Sequence, residues 1–155
     1  MRVVERVTAT ADDTETLGEQ LGRAAHGGEL IGLVGELGAG KTCFVRGLAR
    51  GLGIDPARVH SPSFVMVTEY GGGRLPLQHV DLYRLDAPVD DSGLLREVMY
   101  GDGVAAVEWF DRLAATLDDE RVVVSIVYAG PDRRTLRLEA RGARHEALLE
   151  RAGIE

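Results

Sequence analysis

Residues 29–45 read ELIGLVGELGAGKTCFV, and this stretch decides the fold. Its first part, Glu29 to Val34, is a short apolar run next to glycines, which is typical of a buried parallel strand. From Lys41 to about Gly51, apolar residues recur at helical spacing. A turn with three glycines joins the two segments. The stretch therefore predicts a strand, a glycine-rich loop and a helix, which is one unit of an α/β fold.

The loop at residues 35–42 matches the pattern G-x-x-x-x-G-K-[ST] at every fixed position. Glycines permit backbone conformations that a Cβ would forbid, so successive N–H groups can point inward and bind an anion. The helix that follows adds a partial positive charge of about half an elementary charge. We expect Lys41 to reach the β and γ phosphates of a nucleotide, and the Thr42 hydroxyl to bind Mg²⁺. The predicted nucleotide contacts are Glu36, Leu37, Gly38, Ala39, Gly40, Lys41, Thr42 and Cys43.

Composition limits the class of protein. A chain of 155 residues is the length of one domain, and its net charge of −7 argues against binding nucleic acid without a partner. The single cysteine excludes an internal disulfide framework and fits a reducing compartment. The first thirty residues carry several charges, and the sequence contains no apolar run of about 20 residues. We therefore expect a cytoplasmic protein.

Lys41 is the only lysine, and every other cationic side chain is arginine. A genome rich in arginine codons accounts for most of this bias. A compact ammonium group nevertheless fits between phosphates in a tight loop better than a planar guanidinium does. The lysine therefore stands where the loop chemistry requires it.

The remaining sequence predicts a mixed α/β sheet with helices on both faces. A first helix should end near Ala25 and be capped by Asp12 or Asp13. Three consecutive glycines, Gly71 to Gly73, predict the turn of a hairpin. The predicted strands are Val3–Thr8, Phe64–Tyr70, Leu75–Tyr83, Gly103–Val107, Arg121–Tyr128 and Thr135–Ala140, and the later helices are Asp90–Tyr100 and Gly142–Ala152.

Two acidic residues stand at predicted strand ends. Glu108 follows the apolar run 104–107, and open α/β sheets bind ligands at the carboxyl ends of their strands. Asp81 shares one face of its strand with His79 and Tyr83, because side chains alternate along a strand. A nucleotide site needs such a carboxylate to orient Mg²⁺. Ordinary solvent-facing positions remain the alternative for both residues. Ser61 to Ser63 is a polar loop that is either a plain turn or a switch for the γ-phosphate.

Four segments together resemble one family: GELGAGKT (35–42), SPSF (61–64), HVDLYRL (79–85) and VEW (107–109). They resemble the TsaE family, formerly YjeE, the bacterial ATPases needed to make threonylcarbamoyladenosine in tRNA. The HVDLYRL segment is the most specific of the four. The resemblance covers about residues 10–110. It implies an α/β P-loop NTPase fold of three layers with a mixed, mostly parallel sheet.

The resemblance also implies a function and a set of site residues. The family acts with TsaB and TsaD, and ATP hydrolysis supports repeated transfer of threonylcarbamoyl to the adenosine beside the anticodon. ATP or ADP and Mg²⁺ are the implied cofactors, and tRNA is met only through the complex. Catalytic roles fall to Lys41, Asp81 and Glu108, and the metal ligands would be Thr42, Glu108 and Asp81. Further nucleotide contacts would be Ala11, Trp109 and an arginine after the last hairpin turn, Arg133 or Arg134, with Arg133 as the chosen assignment.

The sequence departs from the family pattern at three positions. The family usually has Asp at Glu36, a second Thr at Cys43 and Thr at Ser63. Glu36 would offer its backbone N–H, so its side chain matters little, and Ser63 keeps the hydroxyl. Cys43 lacks a hydroxyl, which puts a secondary contribution to hydrolysis in doubt.

The loop pattern also occurs in other nucleotide-binding classes. A GTPase of the switch class needs an N-K-x-D motif, which cannot exist in a chain whose single lysine is Lys41. A small-molecule kinase would need cationic groups for its acceptor, and Arg84, Arg133 and Arg134 are available. A module that binds ATP without hydrolysing it also remains open, since no arginine finger can be assigned. For the same reason we expect slow hydrolysis by the isolated chain.

Overall fold

A computed structural model describes residues 1–36, 38–60, 67–82, 97, 101–112 and 120–155. The strands in these ranges form one sheet in the order β1-β7-β6-β2-β5-β4-β3. The strands are β1 (Arg2–Thr8), β2 (Leu30–Gly35), β3 (Val67–Tyr70), β4 (Leu77–Asp81), β5 (Val104–Glu108), β6 (Arg121–Tyr128) and β7 (Arg134–Arg141). The α-helices of the same ranges are α1 (Ala11–Ala24), α2 (Lys41–Gly51) and α3 (Ala143–Arg151).

The pairing of the strands confirms the predicted mixed α/β fold. In the centre of the sheet, β2 runs parallel to both β5 and β6, and β4 runs parallel to β5. On either side the pairing is antiparallel, between β3 and β4 and along β6, β7 and β1. The predicted hairpin around Gly71 to Gly73 is confirmed for the residues that the structure describes, and β1 lies at one edge of the described sheet.

The parallel centre places several strand ends at one edge of the sheet. Leu33 of β2 lies beside Glu108 of β5, and Glu108 lies beside Asp81 of β4. β2 continues at this edge into the glycine-rich loop, and α2 begins at Lys41 directly after it. The two predicted acidic residues and the loop therefore meet at the same edge.

All three described α-helices pack against one face of the sheet. Their core includes Leu21 of α1, Phe44 of α2 and Leu148 of α3, packed on Ile31 and Val124 of the sheet. The opposite face carries a smaller apolar cluster made of Leu30, Val80, Leu82, Ala105, Val107 and Phe110. The helix predicted over Asp90–Tyr100 lies outside the described residues apart from Glu97, so a helix on the second face stays a prediction. Within the described ranges, no helix is both long and apolar enough to span a membrane.

The N-terminal cap of α1 differs from the prediction. Thr10 is the capping residue, and its hydroxyl accepts a hydrogen bond from the Asp13 backbone N–H at 3.1 Å. Asp12 and Asp13 lie within the first turn, and the Asp13 carboxylate accepts from the Ala9 N–H at 3.1 Å. The prediction of Asp12 or Asp13 as the cap was wrong, because Asp caps slightly better than Thr by type, whereas the helix begins after Thr10 and puts both Asp residues inside its first turn.

Helices α1 and α2 pack closely enough for their backbones to touch. A Cβ added at Gly47 would lie 2.0 Å from the Glu15 carbonyl oxygen, and one added at Gly18 would lie 2.3 Å from that of Phe44. The same holds one turn further along, at Gly22 and Gly51, where the distances are 2.4 Å to Leu48 and Glu19 oxygens. Four glycines in two i, i+4 pairs therefore set the distance between the helices.

We expect Gly47→Ala to destabilise the fold by about 1–3 kcal/mol or more, because the methyl group forces α1 and α2 apart. Gly71→Ala is the matched control, since an added Cβ there meets nothing within 4 Å. Urea unfolding followed by circular dichroism measures both variants. Equal stability of the two variants would contradict the proposed backbone contact.

Candidate functional site

The glycine-rich loop has the backbone that its sequence predicts. Gly38 and Gly40 adopt φ values of 80° and 113°, which residues with a side chain rarely adopt. Between them, the Ala39 N–H donates to the Glu36 carbonyl at 3.0 Å, so the loop closes in a tight turn. Gly40 is the N-cap of α2, and no side chain occupies that cap. The exposed N–H groups of the first turn therefore stay available to an anion.

Lys41 is folded back into the mouth of the loop. Its Nζ donates to the carbonyl oxygens of Gly35 and Glu36 at 2.6 and 2.8 Å, and the residue is only 4% exposed. Burial lowers the pKa of the ammonium group, and the negative charges of Glu108, Asp81 and Asp111 oppose that shift. The loop thus holds a desolvated cation whose hydrogen bonds to neutral carbonyls can be exchanged for bonds to an anion.

Trp109 follows Glu108 directly and forms one wall around this cation. The Lys41 Nζ lies 3.9 Å from the centroid of the Trp109 ring, a cation–π contact. Trp109 adopts φ 60°, the only positive φ at a non-glycine residue in the described ranges. Bulky side chains seldom adopt this conformation, and such strain is concentrated at functional sites. The turn at the end of β5 therefore aims the indole at the loop, where the prediction places it.

Thr42 and Glu108 meet beside Lys41. The Thr42 hydroxyl lies 3.1 Å from each oxygen of the Glu108 carboxylate. Glu108 is 2% exposed, so the carboxylate is buried at the end of β5. A solvent-facing position, the alternative raised from the sequence, does not hold for this residue. A hydroxyl and a carboxylate in contact are hard oxygen donors of the kind that Mg²⁺ prefers.

His79 contacts the same carboxylate from the neighbouring strand. Its Nε2 lies 2.5 Å from Glu108 Oε2, and the residue is fully buried. Alternation along β4 places His79 on the helix-covered face with Asp81, as predicted, and Val80 on the other. Asp81 is the strand neighbour of Glu108 and is partly buried. The sequence did not predict the pairing of His79 with Glu108.

A cleft opens on the other side of the loop. It is lined by Ala11, Thr14, Ala39, Gly40, Cys43, Asp132 and Arg134. Cys43 lies 3.1 Å from the Ala11 carbonyl oxygen through its Sγ, and burial raises the pKa of its thiol. A raised pKa keeps the sulfur as a thiol and disfavours redox reactivity. Four predicted contacts, Ala11, Ala39, Gly40 and Cys43, thus share a cleft with Thr14 and Asp132, which were not predicted.

The structure brings Arg134 to the loop. Its Nε donates to the Ala39 carbonyl at 2.9 Å, and its guanidinium lies 4.4 Å from the centroid of the Tyr128 ring. Arg133, the residue chosen from the sequence, is exposed and lies outside the lining of the cleft. Its role at the site stays a prediction, but Arg134 is the arginine that contacts the loop. Tyr128 also approaches the loop, since a Cβ at Gly38 would lie 2.8 Å from its hydroxyl oxygen.

Several predicted residues lie outside the described ranges. They are Leu37 in the loop, Ser61 and Ser63 in the possible switch segment, and Tyr83 and Arg84 after β4. Most of the other predicted residues meet at one edge of the sheet. The loop contributes Glu36, Gly38, Ala39, Gly40, Lys41 and Thr42, and next to it lie Asp81, Glu108 and Trp109.

Comparison with known proteins identifies the family. Residues 8–136 match the family model described as Threonylcarbamoyl adenosine biosynthesis protein TsaE. The chain belongs to the TsaE family. This TsaE-family chain is 39% identical over 150 residues to the tRNA threonylcarbamoyladenosine biosynthesis protein TsaE of Bacillus subtilis. The aligned residues cover 97% of this chain and 94% of the relative. A relative of the same name from Treponema pallidum is 44% identical over 128 residues, 81% of this chain and 90% of the relative.

A solved structure has the same fold. The crystal structure of Bacillus subtilis YdiB superposes with a TM-score of 0.82 at 35% identity, covering 98% of this chain and 95% of that one. The resemblance and the fold predicted from the sequence are both confirmed. TsaE-family membership places the chain among proteins of tRNA threonylcarbamoyladenosine biosynthesis.

Trp109 is the only tryptophan of the chain, so its fluorescence reports on the loop. We expect inorganic triphosphate to change the Trp109 emission, because an anion in the loop draws the Lys41 ammonium away from the indole ring. A fluorescence titration measures this change. Lys41→Ala is the control, and an unaltered response in that variant would show that the emission does not report on Lys41.

Proposed function

We propose that this chain binds ATP together with Mg²⁺ at the glycine-rich loop and hydrolyses it slowly. In the cell it would act with TsaB and TsaD in forming threonylcarbamoyladenosine at the adenosine beside the tRNA anticodon. The observation that carries the nucleotide part is the contact between Thr42 and Glu108 at the mouth of the loop, with Lys41 beside it. Family membership supports the tRNA-modification part.

The residues at the strand ends and at the start of α2 offer the oxygen ligands that a magnesium ion prefers. The Thr42 hydroxyl and the Glu108 carboxylate offer oxygen atoms that already lie 3.1 Å apart. Asp81 adds a second carboxylate from the adjacent strand. Bound Mg²⁺ would neutralise charge on the phosphates and help to orient them for attack by water. Thr42 and Glu108 would hold the ion, with Asp81 beside it.

The other residues of the site act on the phosphates and on water. The loop N–H groups and the Lys41 ammonium would bind the β and γ phosphates, as they do in loops of this pattern. Asp81 would orient the attacking water, since its carboxylate can accept a hydrogen bond from that water. The Trp109 ring lies against the Lys41 ammonium and would limit the access of water to it.

Slow turnover follows from the cations that surround the loop. In the described part of the chain, Arg134 is the arginine whose guanidinium contacts the loop, and it binds main-chain oxygens of Ala39, Gly130, Pro131 and Arg133. An arginine engaged in this way is not free to stabilise charge on a transferring phosphoryl group. Such an arginine finger raises the rate by about 10³–10⁵ in enzymes that have one.

Calorimetric titration with ATP and GTP tests the nucleotide site. We expect ATP to bind in preference to GTP, and Lys41→Ala to abolish binding because it removes the cation of the loop. Glu108→Ala should keep part of the nucleotide affinity but lose Mg²⁺-dependent hydrolysis. Equal affinity for both nucleotides would refute the assignment of ATP, and undiminished hydrolysis by Glu108→Ala would remove Glu108 from the site.

Co-purification tests the role in tRNA modification. We expect the chain to bind the TsaB–TsaD pair in the presence of ATP, and its net charge of −7 favours a protein partner over direct contact with tRNA. Lys41→Ala is the matched control, because it removes the nucleotide without altering the rest of the surface. No complex with ATP present would count heavily against this role and leave a generic ATPase, a small-molecule kinase or a module without turnover.

A further inference from the structure

His79 is a polar side chain placed entirely inside the protein. It lies on β4, is 0% exposed, and contacts the Glu108 carboxylate through Nε2. Burying a polar ring costs free energy unless its hydrogen bonds are satisfied. Within the described ranges, Nδ1 of this ring has no hydrogen-bond partner. The interaction with Glu108 is therefore the polar contact that accounts for a histidine at this position.

We propose that His79 is a positioning residue, which orients the Glu108 carboxylate toward Thr42 and thereby sets the affinity of the site for Mg²⁺. The inference rests on the proposed function, because it assigns His79 a part in the same metal site. It goes beyond that function by assigning a role to a residue that would act through Glu108 rather than bind the ion itself.

The direction of the hydrogen bond follows from its chemistry. A carboxylate only accepts hydrogen bonds, so Nε2 carries the proton and donates to Glu108 Oε2. Hydrogen bonds from N–H groups to a carboxylate are stronger than those between neutral groups. The ring is thus the donor, and Glu108 is the group whose position it controls.

The carboxylate needs such control because its last torsion is soft. Rotation about χ3 of a glutamate has broad minima, so the side chain alone does not fix where its oxygens point. Here the Thr42 hydroxyl from α2 and the His79 ring from β4 bind the carboxylate from two different elements. Together they hold both oxygens 3.1 Å from the Thr42 hydroxyl oxygen. Removing one donor frees the carboxylate to turn away from Thr42.

A packing role for the ring is the competing explanation. His79 also lies near the Tyr70 ring, with centroids 6.3 Å apart and planes tilted by 34°. A residue that only fills space can be replaced by an apolar side chain of similar volume. A positioning donor can be replaced only by a side chain that presents an N–H group where Nε2 lies.

The experiment therefore compares His79→Leu with His79→Gln in the full chain. Leucine has nearly the volume of histidine and no donor, whereas the glutamine amide nitrogen extends about as far as Nε2. Calorimetry gives two quantities for each variant, the affinity for ATP without metal and the affinity of the ATP-bound protein for Mg²⁺. Losing the partner of a metal ligand typically weakens metal binding about 10–100-fold.

We expect His79→Leu to lose about tenfold or more in Mg²⁺ affinity, with ATP affinity in the absence of metal unchanged. His79→Gln should keep most of the Mg²⁺ affinity. Retained Mg²⁺ affinity in His79→Leu, or equal loss in both variants, would show that His79 only packs. If His79→Leu does not fold, His79→Asn replaces it, since its shorter amide cannot reach Oε2, and equal affinities of Asn and Gln variants would overturn the inference.

A double-mutant cycle tests whether His79 acts through Glu108. In a Glu108→Ala background, His79→Leu should cause no further loss of Mg²⁺ affinity, because the side chain that it orients is gone. Full additivity of the two losses would overturn the inference. Failure of the proposed function looks different, since the unaltered chain would then bind no ATP or no Mg²⁺, and the inference about His79 would fall with it.

Discussion

Contact between the backbones of α1 and α2 is the constraint on which the site depends. Gly18, Gly22, Gly47 and Gly51 allow the two helices to touch, which no larger residue would permit. Because α2 begins at the loop and α1 begins at the cleft, this contact fixes the first turn of α1 next to the glycine-rich loop. The loop is thus held in place by β2, which precedes it in the chain, by α1, which packs on the helix after it, and by a hydrogen bond from the Arg134 side chain.

Local patterns predicted most of the fold. The apolar run of β2, the glycines of the loop and the helical stripe of α2 are all short-range signals, and the bounds predicted for α2 match those observed. The hairpin turn at Gly71 to Gly73 is equally local. The cap of α1 was assigned to the wrong residue because Thr10, Asp12 and Asp13 are all of capping type, and only the backbone geometry selects Thr10.

The parts of the site that were missed depend on register between distant segments. His79 meets Glu108 because β4 pairs with β5 in one register, and a shift of one residue would turn the histidine to the other face. The sequence named both Arg133 and Arg134, and the choice between them also depends on distant segments, since the Arg134 Nε donates to Ala39, 95 residues earlier in the chain. No pattern within a single segment contains either fact.

The pairing of Asp81 with Glu108 has a consequence for the energy of the whole molecule. Asp81 and Glu108 stand at adjacent strand ends, and the negative charges of both act on the buried Lys41 ammonium. The Mg²⁺ ion proposed above would need both strands in register and would therefore bind the folded chain alone. Binding to the native state alone raises the free energy of unfolding by mass action. The melting temperature would then rise with the occupancy of the proposed site.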